Sequence, residues 1–300
     1  MDIAYRPAKF EDLEAAERVV QEAISELRVR HGGRPSRAPP GIAFPKFCLA
    51  ANPDGLWVAE HRDIIVGFGF SWMTGSLWCL SQLFVRPEMQ AKGIGQALLS
   101  KTLMQAERNG ATNRVVITFA YNVASIGLYL KNGLYPHEPL YLMAAPAQAV
   151  AQNLTHADYD VTPIAPWPGP REWMAEIDAA LLGFRRDLLH RFLLGDTTAR
   201  AVRIERAGRA AGYAFISAYG HVGPLAIAPE ADAKAVVTTA LRCALESSAS
   251  RVSMFVPGQA DVIMQALLAL GFRIEVPLVL MASRSFGNWC NYLPRDPGFM

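Results

Sequence analysis

The chain has 300 residues; 51% are hydrophobic, 19% are charged and the formal net charge is +2. At roughly 100–200 residues per domain, that is enough for two ordinary cores, and so neutral a balance gives no reason to expect a nucleic-acid or membrane partner. No apolar run approaches the ~18 residues of a membrane span, and neither the four cysteines (Cys48, Cys79, Cys243, Cys290) nor the six histidines show a metal-ligand spacing, so no metal is expected.

The opening residues, Met1-Asp2-Ile3-Ala4-Tyr5-Arg6-Pro7, lack the basic-then-apolar order of a signal peptide. With four separate thiols, this reads as a cytoplasmic protein. Residues 3–6 read as a strand. Asp12 then starts a helix whose apolar positions, Leu13, Ala16, Val19, Val20, Ala23, Ile24 and Leu27, fall on one face. Residues 31–45, rich in Gly, Pro and Arg, read as a loop. A hairpin follows, with strands at 56–60 and 64–72 around Arg62-Asp63, and then a strand at 77–85. Ile94, Ala97, Leu98, Leu99, Leu103 and Ala106 form a helical stripe ended by Asn109-Gly110. The spacing predicts a buried strand at 115–119, a short helix at 125–131 stopped by Asn132-Gly133, and a last strand at 141–143.

The Pro- and Ala-rich residues 144–151 start a linker, after which the order repeats. Strand 160–165 leads to a long helical region at 170–194. A hairpin of 201–205 and 211–217 turns at Ala207-Gly208-Arg209. Strand 224–228, helix 231–246, strand 252–256 and helix 260–270 follow, and Gly271-Phe272 opens a strand to Met281. The repeat is of domain length, a duplication rather than a solenoid. Its expected boundaries are 1–146 and 147–300.

Between the strand at 77–85 and the next helix stands Gln90-Ala91-Lys92-Gly93-Ile94-Gly95-Gln96. A helix N-terminus presents free N–H groups and the positive end of the helix dipole, which together attract phosphate. Glycine lets the ligand reach the backbone, and Lys92 adds charge. A Rossmann loop would need a third glycine where Leu98 stands, and an acidic residue near Asn113-Arg114. A Walker A loop would need its lysine after the last glycine. Neither nucleotide motif fits.

With Gln90, Gly93 and Gly95 in this order, the chain resembles the GNAT superfamily of acyl-CoA N-acetyltransferases, whose signature is Gln/Arg-x-x-Gly-x-Gly/Ala. A second signature, Asn-x-x-Ala-x-x-Leu-Tyr-x-Lys-x-Gly-Phe, is met by Asn122, Leu128, Tyr129, Lys131 and Gly133. Ser125 replaces its alanine and Leu134 its phenylalanine. The resemblance covers residues 1–143 well and the rest in layout, as in bacterial proteins with two such domains in tandem. It implies an α/β (α+β) fold: two tandem GNAT-like domains, each a mostly antiparallel mixed sheet flanked by helices.

The resemblance also implies acetyl-CoA as co-substrate. Backbone groups of Leu83, Phe84 and Val85 would bond the pantetheine arm in a gap between the fourth and fifth strands. The amides of Ala91, Lys92, Gly93, Ile94, Gly95 and Gln96 would hold the pyrophosphate, and Asn122 the pantetheine. An amide near Val85 would polarise the thioester carbonyl. Tyr129 would face the sulfur as general acid or hydrogen-bond donor; a phenol near pKa 10 against a thiol near 8.5 makes donation mildly uphill. The fourth strand carries no carboxylate to serve as base. Glu60, His61 and His137 are candidate bases acting through water, and each reads first as an ordinary surface or loop residue.

Aligning Pro229 with Pro87 puts Asp232, Ala235 and Val237 at the positions of Gln90, Gly93 and Gly95. Aligning Gly271 with Gly133 puts Ala260 and Leu267 at those of Asn122 and Tyr129. The second half therefore reads as a degenerate copy, structural or substrate-shaping. Arg28, Arg30, His31, Arg34 and Arg37 border the acceptor side in the family and read as a solvated basic loop or a lure for an acidic acceptor. Trp57, Trp72 and Trp78 read as core or sheet-face aromatics. The acceptor is expected to be a small-molecule amine or a peptide. An acetyl-CoA sensor without turnover is the alternative.

Overall fold

The computed structural model describes residues 2–35, 41–155, 157–167 and 169–298. Arg37 of the basic stretch lies outside them. The chain divides into two compact units, one of Met1–Ile117 with Tyr121–Tyr135, the other of Thr118–Ala120 with Pro136–Met300.

In the first unit, β1 (Ala4–Pro7), β2 (Leu56–His61), β3 (Ile64–Thr74), β4 (Leu77–Val85) and β5 (Asn113–Phe119) lie side by side in that order. All pairings are antiparallel except β4 with β5. The β2–β3 turn holds Arg62 and Asp63 at φ 49° and 61°, the left-handed pair that a two-residue hairpin needs. Helix α1 (Leu13–Arg30) buries the predicted stripe except Ile24, which is half-buried. Arg6 ties its start to the sheet by bonding both Asp12 and Glu60, at 2.6 Å each.

Helix α2 (Ala43–Ala51) forms where the sequence reads partly as loop. Its Pro45 sits in the first turn, where no intrahelical N–H is needed, and Phe44, Cys48 and Leu49 are buried. Helix α3 (Ile94–Arg108) covers one sheet face, where Ile94 and Leu98 pack with Ala59, Val66, Val85 and Met89. Helix α4 (Val123–Lys131) completes this unit.

The strand expected to close the first half, β6 (Tyr135–Pro146), belongs almost wholly to the second unit. It pairs antiparallel with β11 (Arg251–Pro257), from Leu140↔Pro257 to Pro146↔Arg251. The compact units thus divide before β6 and not at 146, because a strand's partner is chosen by edge and register, which local sequence does not specify. The expected linker forms α5 (Ala147–Asn153). Then follow β7 (Asp160–Pro163), α6 (Glu172–Leu182) and α7 (Asp187–Gly195). The long helical region is broken because Gly183 ends α6 at φ 85°.

Strands β8 (Ala199–Arg206), β9 (Arg209–Ser217) and β10 (Val222–Ile227) make a second sheet, in the order β10-β9-β8-β7. Helix α8 (Ala233–Leu245), helix α9 (Asp261–Ala269) and strand β12 (Arg273–Ala282) complete the repeat. Strand β13 (Tyr292–Leu293), which no sequence pattern announces, adds to the outer edge of β10. Val236, Val237, Ile263 and Leu267 fill the core of this unit with strand residues such as Leu225 and Met254.

Candidate functional site

Strands β4 and β5 pair only from Leu77↔Asn113 to Leu80↔Val116. Just beyond, the register of β4 against β3 shifts between Leu80 and Gln82, leaving Ser81 as a bulge. Burial follows pairing: Leu77–Leu80 are buried, while residues 81–84 are only half-buried. A gap therefore opens beside the second half of β4.

Which backbone groups face the gap follows from alternation. Arg86 N–H donates to the Val66 carbonyl of β3 at 2.9 Å. Successive residues of an antiparallel strand turn their polar groups to opposite edges. Phe84 is thus committed to β3, whereas Leu83 and Val85 face the gap. Of the three expected backbone contacts, Phe84 is directed elsewhere. The Val85 carbonyl accepts a bond from Gln90 Nε2 at 3.0 Å, which fixes the loop to the strand end.

The loop delivers the N-terminus of α3 to this gap. Gly93 is its N-cap at φ 81°, with no side-chain cap, so the first-turn amides keep no intrahelical partner. A Cβ on Gly93 would meet nothing within 4 Å; one on Gly95 would make ordinary contact, at 3.8 and 3.9 Å, with Leu128 of α4 and Val85. The space above these glycines is open, and the end of β4, the start of α3 and the face of α4 meet there. This fits an acyl-CoA, with its phosphates on the helix end and its arm along β4. Ala91 also has positive φ, 58°. Lys92 folds back, its Nζ donating to the Glu88 carbonyl at 2.8 Å. Gln96 exchanges amide hydrogen bonds with Asn132 at 3.3 and 3.1 Å, tying α3 to the end of α4.

Asn122 is the N-cap of α4. Its Oδ1 accepts from Ser125 N–H at 3.2 Å and its Nδ2 donates to Ser125 Oγ at 2.8 Å. One turn on, Tyr129 is 4% exposed. Burial raises its pKa, and a hydrogen bond from the Ser125 hydroxyl partly offsets that. Its phenol therefore gives up a proton less readily than an ordinary one.

Within the first unit, neither Glu60 nor His61 is turned to the gap: Glu60 pairs with Arg6 on β1 and β2, at the opposite edge of the sheet, and His61 bonds the Asp2 carbonyl at 2.7 Å. His137 is exposed on β6. Sequence reasoning missed Gln82. It follows the bulge on the face opposite Leu83 and Val85, which pack under α3. Its Oε1 is buried with no hydrogen-bond partner; its place two residues beyond the last pair with β5 is set by the fold and has no local mark in the sequence.

His31 packs tilted against the Tyr121 ring, with centroids 4.8 Å apart, and its ring bonds the Leu27 carbonyl at 2.9 Å, closing α1; Arg30 pairs with Glu26. Trp72 and Trp78 are at most 1% exposed, and Trp78 Nε1 donates to the Thr102 carbonyl. Trp57 lies under Lys101 Nζ at 5.3 Å. Among the described residues no helix is long and apolar enough to cross a membrane, and no group of His, Cys, Asp and Glu stands ready for a metal.

Residues 17–134 match the profile of the acetyltransferase (GNAT) family. The first unit is a GNAT domain. Residues 17–134 thus place this unit, at family level, among the acyl-CoA-dependent N-acetyltransferases. No curated protein sequence matches the chain. Among solved structures, a proposed acetyltransferase from Pyrococcus horikoshii aligns with 99% of this chain and 96% of its own, at TM-score 0.78 and 16% identity. A GCN5-related N-acetyltransferase from Sphaerobacter thermophilus covers 96% and 98%, at TM-score 0.65 and 13% identity. A tandem GNAT protein from the clavulanic acid biosynthesis pathway covers 95% and 99%, at TM-score 0.64 and 17% identity. At these identities the likeness is one of fold, and it extends over both halves.

Proposed function

We propose that the first unit transfers an acetyl group from acetyl-CoA to a primary amine of a small molecule or peptide. The observation that carries this reading is the open edge of β4 at Leu83 and Val85, beside the uncapped N-terminus of α3. The amides of residues 91–96 hold the pyrophosphate, Leu83 and Val85 bond the pantetheine arm, and Asn122 borders it. Val85 N–H polarises the thioester carbonyl. A neutral amine attacks that carbon; the new N–C bond forms, the C–S bond breaks, and the amine loses one proton to water. Tyr129 donates its hydrogen bond to the departing sulfur. Gln82 supplies a buried amide where no carboxylate stands, and its unpartnered Oε1 receives an N–H of the acceptor. The second unit shapes and supports and carries no chemistry. Calorimetry on the full chain is expected to give one acetyl-CoA per chain. A panel of primary amines and peptides, with thiol detection of released CoA, is expected to yield a substrate. No acetyl-CoA binding, or two equivalent sites, would exclude this reading.

A further inference from the structure

The second unit repeats the geometry of the acyl-CoA gap. With Pro229 placed on Pro87, Leu225, Ala226 and Ile227 of β10 fall on Leu83, Phe84 and Val85. The register of β10 against β9 shifts between Val222 and Leu225, where Ser81 bulges in the first unit. Just before β10, His221 makes an isolated parallel bridge with Ser253 of β11, and among the described residues no ladder joins the two strands. Here too a strand is left without its parallel partner, and its outer edge needs hydrogen bonds.

That edge is occupied by the chain's own C-terminal segment. Strand β13 pairs with β10 as Leu225↔Leu293 and Ala226↔Tyr292, and Ile227 N–H donates to the Asn291 carbonyl at 2.9 Å. By the alternation of an antiparallel pair, the outward groups are those of Leu225 and Ile227. These are the positions of Leu83 and Val85, which face the open gap in the first unit. The segment is built in. Tyr292 and Leu293 are fully buried and Trp289 nearly so. Arg186 donates to the Tyr292 hydroxyl, and His221 Nε2 bonds the Arg295 carbonyl at 2.7 Å. At the adjoining helix, the Asp232 side chain already accepts from Ala235 N–H at 3.1 Å, so the α8 N-terminus is capped internally where that of α3 is not.

We infer that residues 291–293 occupy the groove that takes the pantetheine arm in a complete copy of this fold, so that the second unit is a cofactor groove closed by the chain's own tail. The inference rests on the reading that Leu83 and Val85 bind that arm. A covalently attached strand loses far less entropy on docking than a free ligand does. It makes the closure permanent and explains how the second copy keeps its bulge and splayed strands after losing its glycines and tyrosine.

Residue-resolved hydrogen exchange on the full chain tests this, with and without acetyl-CoA. Without it, the Leu225 and Ile227 amides should exchange at least about 100-fold more slowly than those of Leu83 and Val85 after correction for intrinsic rates. Acetyl-CoA should slow Leu83 and Val85 and leave Leu225 and Ile227 unchanged. Equally fast exchange at both pairs, or protection of Ile227 gained from acetyl-CoA, would overturn the inference. Slow Leu225 and Ile227 with no response at Leu83 and Val85 would keep the tail on β10 and overturn the acyl-CoA reading of the first unit instead.

Discussion

Gly93 and Gly95 look alike in the sequence and differ in the structure. Gly93 needs its left-handed φ of 81°, so any side chain there strains the loop, whereas Gly95 has ordinary φ and room for a Cβ. Gly95→Val is therefore the clean test: it should leave the unfolding midpoint within about 1 kcal/mol of the parent yet abolish acetyl-CoA binding by calorimetry. Parental affinity in the folded variant would reduce the loop to a helix entry. Ser125 gives a second residue-scale expectation. Asn122 Nδ2 fills one lone pair of Ser125 Oγ, leaving the hydroxyl proton for Tyr129 and the phenol proton for the sulfur. Tyr129→Phe should lower kcat by about 10²-fold or more while acetyl-CoA affinity holds. Ser125→Ala, which restores the family's usual residue, should lower kcat by less, and by nothing further in the Tyr129→Phe background. An unchanged kcat for Tyr129→Phe would remove the phenol from the chemistry. Tyr129 and Asn122 were legible from motif spacing. The Ser125 link was not, because it depends on how the Asn122 cap is turned.

At the scale of elements, the second unit is held by a buried charge cluster that no sequence pattern announced. Arg186 and Asp178 are 0% exposed and pair through two bonds, at 3.0 and 3.1 Å. Tyr213 donates to Asp178, Arg186 reaches both Tyr213 and Tyr292, and His190 Nε2 lies 2.7 Å from the carboxylate. The cluster joins α6, α7, β9 and β13. Removing one charge strands the other in the interior, so Asp178→Asn should destabilise the chain by about 3–5 kcal/mol. The paired change Asp178→Leu with Arg186→Met should recover part of that loss. Urea unfolding measures both, and a loss below about 1 kcal/mol for Asp178→Asn would show that the cluster does not hold these elements. The elements themselves were largely legible, because hydrophobic period and Gly or Asn stops are local signals. Helix α2 and the break at Gly183 were not, since Pro45 and Gly183 read differently at a helix end than in its interior.

For the whole molecule, acid stability has a defined shape. His221 bonds Ser253 Oγ at 3.0 Å and the Arg295 carbonyl at 2.7 Å. Burial, with the charges of Arg295 and Arg251 behind it, lowers its pKa to about 4. The unfolded chain takes up this proton near pH 6.5 and the folded chain does not until about pH 4, so stability should fall as pH drops through that window. Arg186 and His190 outweigh the burial of Asp178 and hold its carboxyl below the usual range; its contribution is present above pH ~4 and is lost at more acid pH. Unfolding midpoints at a series of pH values should show both losses, and His221→Gln should flatten the first; an identical profile would assign the loss to other groups. By itself the sequence determined the layout of strands and helices, the glycine loop and the Asn122-to-Gly133 motif, because helix ends, turns and phosphate cradles are specified by neighbouring residues. Only the tertiary structure decided which edge β6 joins, which of residues 83–85 face the gap, and that residues 291–293 close the second groove. Those outcomes depend on hydrogen-bond register between distant strands, for which the residues themselves carry no local mark.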